Sequence, residues 1–161
     1  METYVGDQTW AYTVEGKGIQ ARPAAEGGVN YFDTAWPYHG GNSEDFTGRA
    51  LESLELRDHV FIATKSPVWL VKEESDWERF LLEQLERLKT DHIDYYLFHA
   101  LGEARWETVL RLNGLRTLEK ARDDGRIGRI GFSFHDALSV FKEIVDGYDW
   151  EWNRDLASIS V

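Results

Sequence analysis

Five polar residues have the types and the spacing of a proton-transfer site. Asp33, Lys65, His99 and Ser133 each lie at or just past the end of a short apolar run, and Tyr38 follows five residues after Asp33. The four run-end positions recur every 32 to 34 residues. An acid, a phenol, an amine and an imidazole that meet in space can hold and transfer a proton. Any one of these residues alone would equally fit a structural role.

That recurrence is the length of one β-strand, one α-helix and two loops. The runs at 29–33, 59–65, 93–99 and 126–132 are rich in β-branched and aromatic residues, as buried parallel strands are. Strands that alternate with helices predict an α/β fold with a parallel sheet and right-handed crossovers. One edge of such a sheet collects the carboxyl ends of all strands, so the polar residues should converge there.

Helix signals lie between the predicted strands. Asn42 or Ser43 can cap a helix that runs to about Leu56. Ser75 and Glu78 have the spacing of a capping box at the start of the next helix. Two more helices are predicted, one over 104–124, which Asn113-Gly114 could interrupt, and one that Asp136 caps and Gly147 ends.

Composition narrows the function classes. The 161 residues are 42% hydrophobic and 14% aromatic, which predicts one folded domain. A net charge of −11 argues against nucleic acid or an anionic membrane as partner. The absence of cysteine excludes disulfides, thiolate metal sites and iron–sulfur clusters, and no metal-ligand spacing is visible among the other histidines. No signal peptide or membrane span is visible, so we expect a soluble, cytoplasmic protein.

Several motifs follow one another between residues 28 and 133. They are Gly28-Val-Asn-Tyr-Phe-Asp-Thr-Ala35 with Tyr38, Gly41-Asn-Ser-Glu44, Gly48-Arg-Ala-Leu51, Ile62-Ala-Thr-Lys65, Asp94-Tyr-Tyr-Leu-Phe-His99 and Gly125-Arg-Ile-Gly-Arg-Ile-Gly-Phe-Ser133. In type, order and spacing they resemble the aldo/keto reductase signature, particularly that of the iron–sulfur-containing branch. The resemblance covers about residues 28 to 147. The cluster of that branch is not carried over, because the chain has no cysteine.

The resemblance implies a (β/α)₈ TIM barrel and the NADPH-dependent reduction of an aldehyde or ketone. Tyr38 would donate the proton, and the Lys65 ammonium would favour the tyrosinate form that this acid leaves behind. Asp33 would hold Lys65 in place, and His99 would donate a hydrogen bond to the substrate oxygen. Ser133 would contact the nicotinamide carboxamide of the cofactor.

Two tryptophans, Trp36 and Trp69, fall in loops that follow predicted strands. Such loops form the walls of a substrate pocket in a barrel of this kind. A role for both residues in binding a small carbonyl substrate and a role in the core are equally open. Trp106 is assigned to the core.

The length predicts only part of a barrel. A whole barrel needs about 250 residues, whereas this chain supplies four to five βα units in a single truncated domain, with regular units over 29–147. The ends, 1–28 and 148–161, are atypical: a hairpin could span 10–21, the acidic segment 149–153 reads as a solvated end, and 156–161 could be a strand.

The truncation bears on the cofactor. The resemblance implies that later βα units hold the pyrophosphate and 2′-phosphate of NADPH. Such units are not recognisable in this sequence, so the NADPH site is predicted to be incomplete. The alternative to an enzyme is a catalytically silent half-barrel or a dimerising interaction domain, which would self-associate through its open sheet edges.

Overall fold

The computed structural model describes residues 2–5, 8–11 and 28–150, and its centre is a four-stranded parallel sheet. The sheet has the order β3-β4-β5-β6. Its strands are β3 (Tyr31–Asp33), β4 (Phe61–Ser66), β5 (Ile93–Leu101) and β6 (Ile127–Phe134). The predicted parallel α/β sheet is therefore confirmed. A separate antiparallel pair precedes it, formed by β1 (Glu2–Val5) and β2 (Gln8–Ala11). The hairpin predicted over 10–21 and the strand predicted over 156–161 extend outside the described residues.

Helices follow each strand of the main sheet. They are α1 (Ser43–Ser53), α2 (Ser75–Leu88), α3 (Glu103–Arg111), α4 (Gly114–Asp123) and α5 (Leu138–Asp146). The break near residue 113 is confirmed, because Asn113 has a left-handed backbone with φ 54° between α3 and α4. Within the described part of the chain, no helix combines the length and the apolarity that a membrane crossing requires.

The carboxyl ends of the strands differ from the predicted positions. β4 continues to Ser66 and β5 to Leu101, so Lys65 and His99 lie just inside their strands. The pairing of β5 with β6 shifts register between Phe98 and Leu101, and Ala100 has φ 52°. The strand therefore bends immediately after His99.

The core lies between the sheet and the helices, and Trp77 of α2 is its largest fully buried side chain. Its indole packs edge-on against Phe98 at 5.5 Å and donates to the Leu112 carbonyl at 2.9 Å. A Cβ on Gly114 would lie 3.0 Å from this indole, and a Cβ on Gly48 would lie 2.5 Å from the Arg87 carbonyl oxygen. Both glycines thus permit close packing. Gly114 allows contact with the Trp77 indole, and Gly48 allows α1 to pack directly on the backbone of α2.

The predicted capping box is wrong. Ser75 is the first residue of α2, and its hydroxyl donates to Glu73 instead of accepting from the helix. The carboxylate of Asp76 holds this end, accepting from the backbone amides of Lys72 at 2.8 Å and Glu73 at 3.2 Å. The helix begins earlier than the capping pattern requires. Glu74 already has helical backbone angles and Ser75 lies inside the helix, so Ser75 does not have the extended conformation of a capping residue.

The other two predicted side-chain caps are also wrong. Asn42 is helical in its backbone and its amide donates to the His39 carbonyl, while Ser43 begins α1. Asp136 lies two residues before α5 and accepts from the amides of Ala137 at 2.7 Å and Glu103 at 3.1 Å. Asp136 therefore connects the start of α3 to the loop after β6.

Of the segment 149–153, predicted as a solvated end, residues 151–153 lie outside the described residues, and Trp150 is 3% exposed, against the prediction. Its ring packs at 4.6 Å from Phe132 and 6.0 Å from Trp106, and its Nε1 donates to the Ile144 carbonyl. The aromatic surface of β6 and α3 outweighs the acidic neighbours of Trp150. Trp106 itself is buried, as predicted.

Candidate active site

The parallel pairing of β3 with β4 brings Asp33 and Lys65 into direct contact. The Lys65 ammonium lies 2.7 Å from Asp33 Oδ1 and 2.8 Å from the Thr34 carbonyl oxygen. The lysine side chain is 7% exposed and the aspartate side chain 31% exposed. A buried ammonium needs such partners, because desolvation of an unpaired charge costs several kcal/mol. Asp33 and the Thr34 carbonyl therefore hold the Lys65 ammonium at the carboxyl edge of the sheet.

Tyr38 and His99 lie beside this ammonium. Tyr38 begins the 3₁₀ turn Tyr38–Gly41, and its amide donates to the Ala35 carbonyl at 3.1 Å, which returns the chain toward the sheet edge. Lys65 Nζ is 4.8 Å from the centre of the Tyr38 ring. The Tyr38 and His99 rings meet nearly perpendicularly, with centroids 5.8 Å apart. The four residues predicted as a proton-transfer site are thus brought together.

The two tryptophans are placed differently. Trp69 lies 5.3 Å from the His99 ring, and its side chain remains 41% exposed. Trp36 instead packs against α2, with its ring edge-on to Phe80 at 4.9 Å and under the Arg87 guanidinium at 3.6 Å. Only Trp69 borders the group formed by Tyr38, Lys65 and His99.

Ser133 lies on β6, next to the strand that carries His99. Its hydroxyl oxygen accepts a hydrogen bond from the Ala100 amide at 2.7 Å. A serine hydroxyl that accepts one bond can still donate its own hydrogen. Ser133 therefore lies at the same edge as the other predicted residues, and among the described residues its hydroxyl donates to no acceptor.

The imidazole of His99 is held neutral. Burial is the main cause that lowers the pKa of His99 from 6.5 to about 4, and the charges of Lys65 and Arg105 and the proximity of His135 add to it. Its Nδ1 is buried and has no hydrogen-bond partner among the described residues. A neutral imidazole carries one N–H and one acceptor nitrogen, so it can donate to an oxygen beside it without adding a positive charge.

The lowered pKa of His99 predicts a pH-dependent stability. The unfolded chain binds a proton at this imidazole below pH 6.5 and the folded chain only below about pH 4, so the free energy of unfolding falls as pH falls through this window. Between pH 7 and pH 4, protonation of His99 should lower the free energy of unfolding of the wild type by on the order of 2–3 kcal/mol. We expect His99→Gln to lack this decrease. Urea unfolding across that range measures it, with the exposed His59→Gln as control. Parallel pH dependences of the wild type and His99→Gln would contradict this assignment.

A buried polar network behind Lys65 was not predicted. Glu44 is fully buried, and its carboxylate accepts from the Thr64 hydroxyl at 2.5 Å and from the Gln84 amide. Arg87 lies 3.3 Å from its other oxygen. Burial raises the pKa of Glu44, and these hydrogen bonds oppose that rise. The network thus satisfies a charge that would otherwise be costly inside the protein.

Gln84 connects this network to the site. Its amide nitrogen lies 3.1 Å from the Lys65 carbonyl oxygen, and its amide oxygen accepts from the Tyr96 hydroxyl at 2.6 Å. These bonds fix the backbone that carries Lys65. A sequence signal existed: Gln84 falls on the apolar face of α2 between Leu81 and Leu88, where a polar side chain must find buried partners.

Comparison with known proteins identifies relatives of this chain. The sequence model of the aldo/keto reductase family matches residues 6–156. The glyoxal reductase of Bacillus subtilis (strain 168) is 34% identical over 129 residues, which cover 76% of this chain and 42% of that protein. The methylglyoxal reductase YeaE of Escherichia coli (strain K12) is 31% identical over 134 residues, covering 80% and 44% respectively.

Solved structures agree with the sequence matches. The crystal structure of an aldo-keto reductase from Klebsiella pneumoniae in complex with NADPH has a TM-score of 0.66 and 29% identity, and the match covers 80% of this chain and 42% of that chain. The chain spans less than half the length of each of these three proteins. Its parallel sheet and alternating helices correspond to part of a (β/α)₈ barrel. The chain belongs to the aldo/keto reductase family.

Proposed function

We propose that this chain carries the proton-transfer half of an NADPH-dependent reductase of small aldehydes or ketones. The observation that supports it most is the position of the Lys65 ammonium. It is held by Asp33 at 2.7 Å and lies 4.8 Å from the Tyr38 ring, which in turn contacts His99. Family membership and relatives that reduce glyoxal and methylglyoxal point to the same chemistry.

In this proposal Tyr38 is the acid. A carbonyl that accepts hydride becomes an alkoxide and needs a proton in the transition state. The phenol of Tyr38 donates it, and the adjacent Lys65 ammonium stabilises the tyrosinate that remains. Asp33 and the Thr34 carbonyl keep the ammonium in position. Neutral His99 donates a hydrogen bond to the carbonyl oxygen and orients it. Trp69 provides one wall of the substrate site.

NADPH would supply the hydride when bound. Ser133 is the residue proposed to contact its nicotinamide carboxamide, since the hydroxyl lies at the same sheet edge and can still donate. This proposal covers only the nicotinamide end of the cofactor, and the incompleteness of the NADPH site stays a prediction. The substrate role predicted for Trp36 has no such support, because its ring packs on α2.

A self-associating domain without catalysis is the second candidate. The order β3-β4-β5-β6 leaves β6 with β5 as its one partner among the described strands. Unpaired amides and carbonyls at a strand edge favour pairing with another chain. A second copy of the chain would then cover this edge.

One titration separates the two candidates. The purified chain is titrated with NADPH while its tryptophan fluorescence is followed, and its mass in solution is measured in parallel. The reductase proposal expects saturable quenching and oxidation of NADPH when methylglyoxal is added. A dimer that shows neither response would support the silent domain, and a monomer that shows neither would refute both proposals for this chain.

A further inference from the structure

Arg105 is a partly buried arginine that has no carboxylate partner within the described residues. It lies in the first turn of α3, directly after the strand that carries His99. One of its nitrogens, Nη1, donates to the Ala100 carbonyl at 2.6 Å. The described chain holds four other partly buried arginines, and each lies within 4 Å of a carboxylate oxygen: Arg57, Arg87, Arg122 and Arg126.

The guanidinium lies beside the candidate active site. Its central carbon is 5.6 Å from the centre of the Trp69 ring, and that ring is 5.3 Å from the His99 ring. Its charge is one of those that lower the pKa of His99. A guanidinium has five N–H donors in a planar fork that matches a carboxylate. One donor is engaged by Ala100, and within the described part of the chain the others have no hydrogen-bond partner, so they can bind an acidic ligand.

We propose that Arg105 binds a carboxylate of the substrate, so that the carbonyl compound reduced at this site is an oxo acid. The inference rests on the proposed function and names its substrate class. The net charge of −11 disfavours an anionic ligand, so a carboxylate can bind at this site only beside a local cation such as Arg105. Lys65 is assigned to Tyr38 in the proposed function, and its ammonium is already engaged by Asp33 and the Thr34 carbonyl.

The distances set an upper limit on the length of this substrate. The two ring contacts in series place the guanidinium carbon and the centre of the imidazole at most about 11 Å apart. One hydrogen bond at each end takes up part of that distance, so the substrate is a short oxo acid. The probe is 4-oxobutanoate, and its methyl ester is the neutral match.

The test compares kcat/KM for these two aldehydes at constant ionic strength, since surface charge effects are screened by salt. We expect Arg105→Gln to lose about 10- to 100-fold on 4-oxobutanoate and much less on the methyl ester. Arg105→Lys should retain part of the preference, because it keeps the charge without the fork. The exposed Arg111→Gln, in the same helix, is the control and should change neither rate. Equal losses on both aldehydes would show that Arg105 only supports Ala100, and would overturn the inference.

A binding measurement keeps the inference testable without turnover. If wild-type chain reduces neither aldehyde, the proposed function fails and binding decides the role of Arg105. The probe is 4-hydroxybutanoate, with 1,4-butanediol as its neutral counterpart, and the readout is the NMR signal of the Trp69 indole N–H. A shift caused by the acid alone, and lost in Arg105→Gln, would support the carboxylate site. No shift in the wild type would overturn it.

Discussion

Tyr38→Phe is expected to lower kcat/KM for aldehyde reduction by about 10²- to 10⁴-fold, the contribution of a positioned general acid. The substitution removes one hydroxyl and keeps the ring that contacts Lys65 and His99. Packing at the site should therefore persist, and NADPH should still quench the tryptophan fluorescence with unchanged affinity. Steady-state reduction of methylglyoxal together with the NADPH titration measures both quantities.

A second tyrosine provides the control for this experiment. Tyr148 follows α5, and its hydroxyl donates to Glu119 at 3.0 Å, so Tyr148→Phe also removes one phenolic hydrogen bond. Its turnover should match the wild type. If Tyr38→Phe retained more than roughly a tenth of the wild-type kcat/KM, a different group would have to supply the proton.

Glu44→Ala is expected to lower the free energy of unfolding by about 3–5 kcal/mol, the usual cost of removing one partner of a buried ion pair. Thr64 and Gln84 each lose one acceptor, and the Arg87 guanidinium keeps only the longer contact with Glu83, at 3.8 Å. Thr64 and Gln84 cannot turn to water, because both are fully buried, whereas the Arg87 side chain is 30% exposed. The midpoint of urea unfolding, measured at neutral pH, gives the change.

The neighbouring acid is a matched control. Asp45 lies in the same first turn of α1, but its side chain is 49% exposed and pairs with the exposed Arg49 at 3.0 Å. Asp45→Ala should cost less than about 1 kcal/mol, as exposed ion pairs do. Similar unfolding midpoints for the two variants would mean that the network around Glu44 contributes little to stability.

The arrangement of the sheet could be predicted from the sequence because each strand is a short apolar run and each run ends in a polar residue. Parallel pairing of neighbouring strands then brings Asp33 and Lys65 close together. The recurrence of 32 to 34 residues places His99 and Ser133 at the same edge. Spacing and residue type sufficed here, since both act through regular backbone geometry.

Side-chain details could not be predicted in the same way. Ser75 matched a capping pattern, but the backbone angle of Glu74 decided where α2 begins. Trp36 stands in a loop after a predicted strand, which left a pocket role and a core role equally open, and its ring packs against Phe80 and Arg87 of α2. Such outcomes depend on which of several possible packing partners a side chain contacts in the folded protein. A single sequence does not show which of these contacts is the most favourable.

The bend of β5 after His99 has a further consequence. The peptide groups on both sides of Ala100 are held by side chains, the amide by Ser133 and the carbonyl by Arg105. The backbone of Ala100 therefore links the Ser133 hydroxyl, proposed to bind the cofactor, to the Arg105 guanidinium, proposed to bind the substrate carboxylate. A ligand that displaces either side chain would strain the backbone of Ala100, which is left-handed with φ 52° and directly follows His99. Occupancy of the two subsites should accordingly be thermodynamically coupled, and substitutions at 105 and 133 should not be additive.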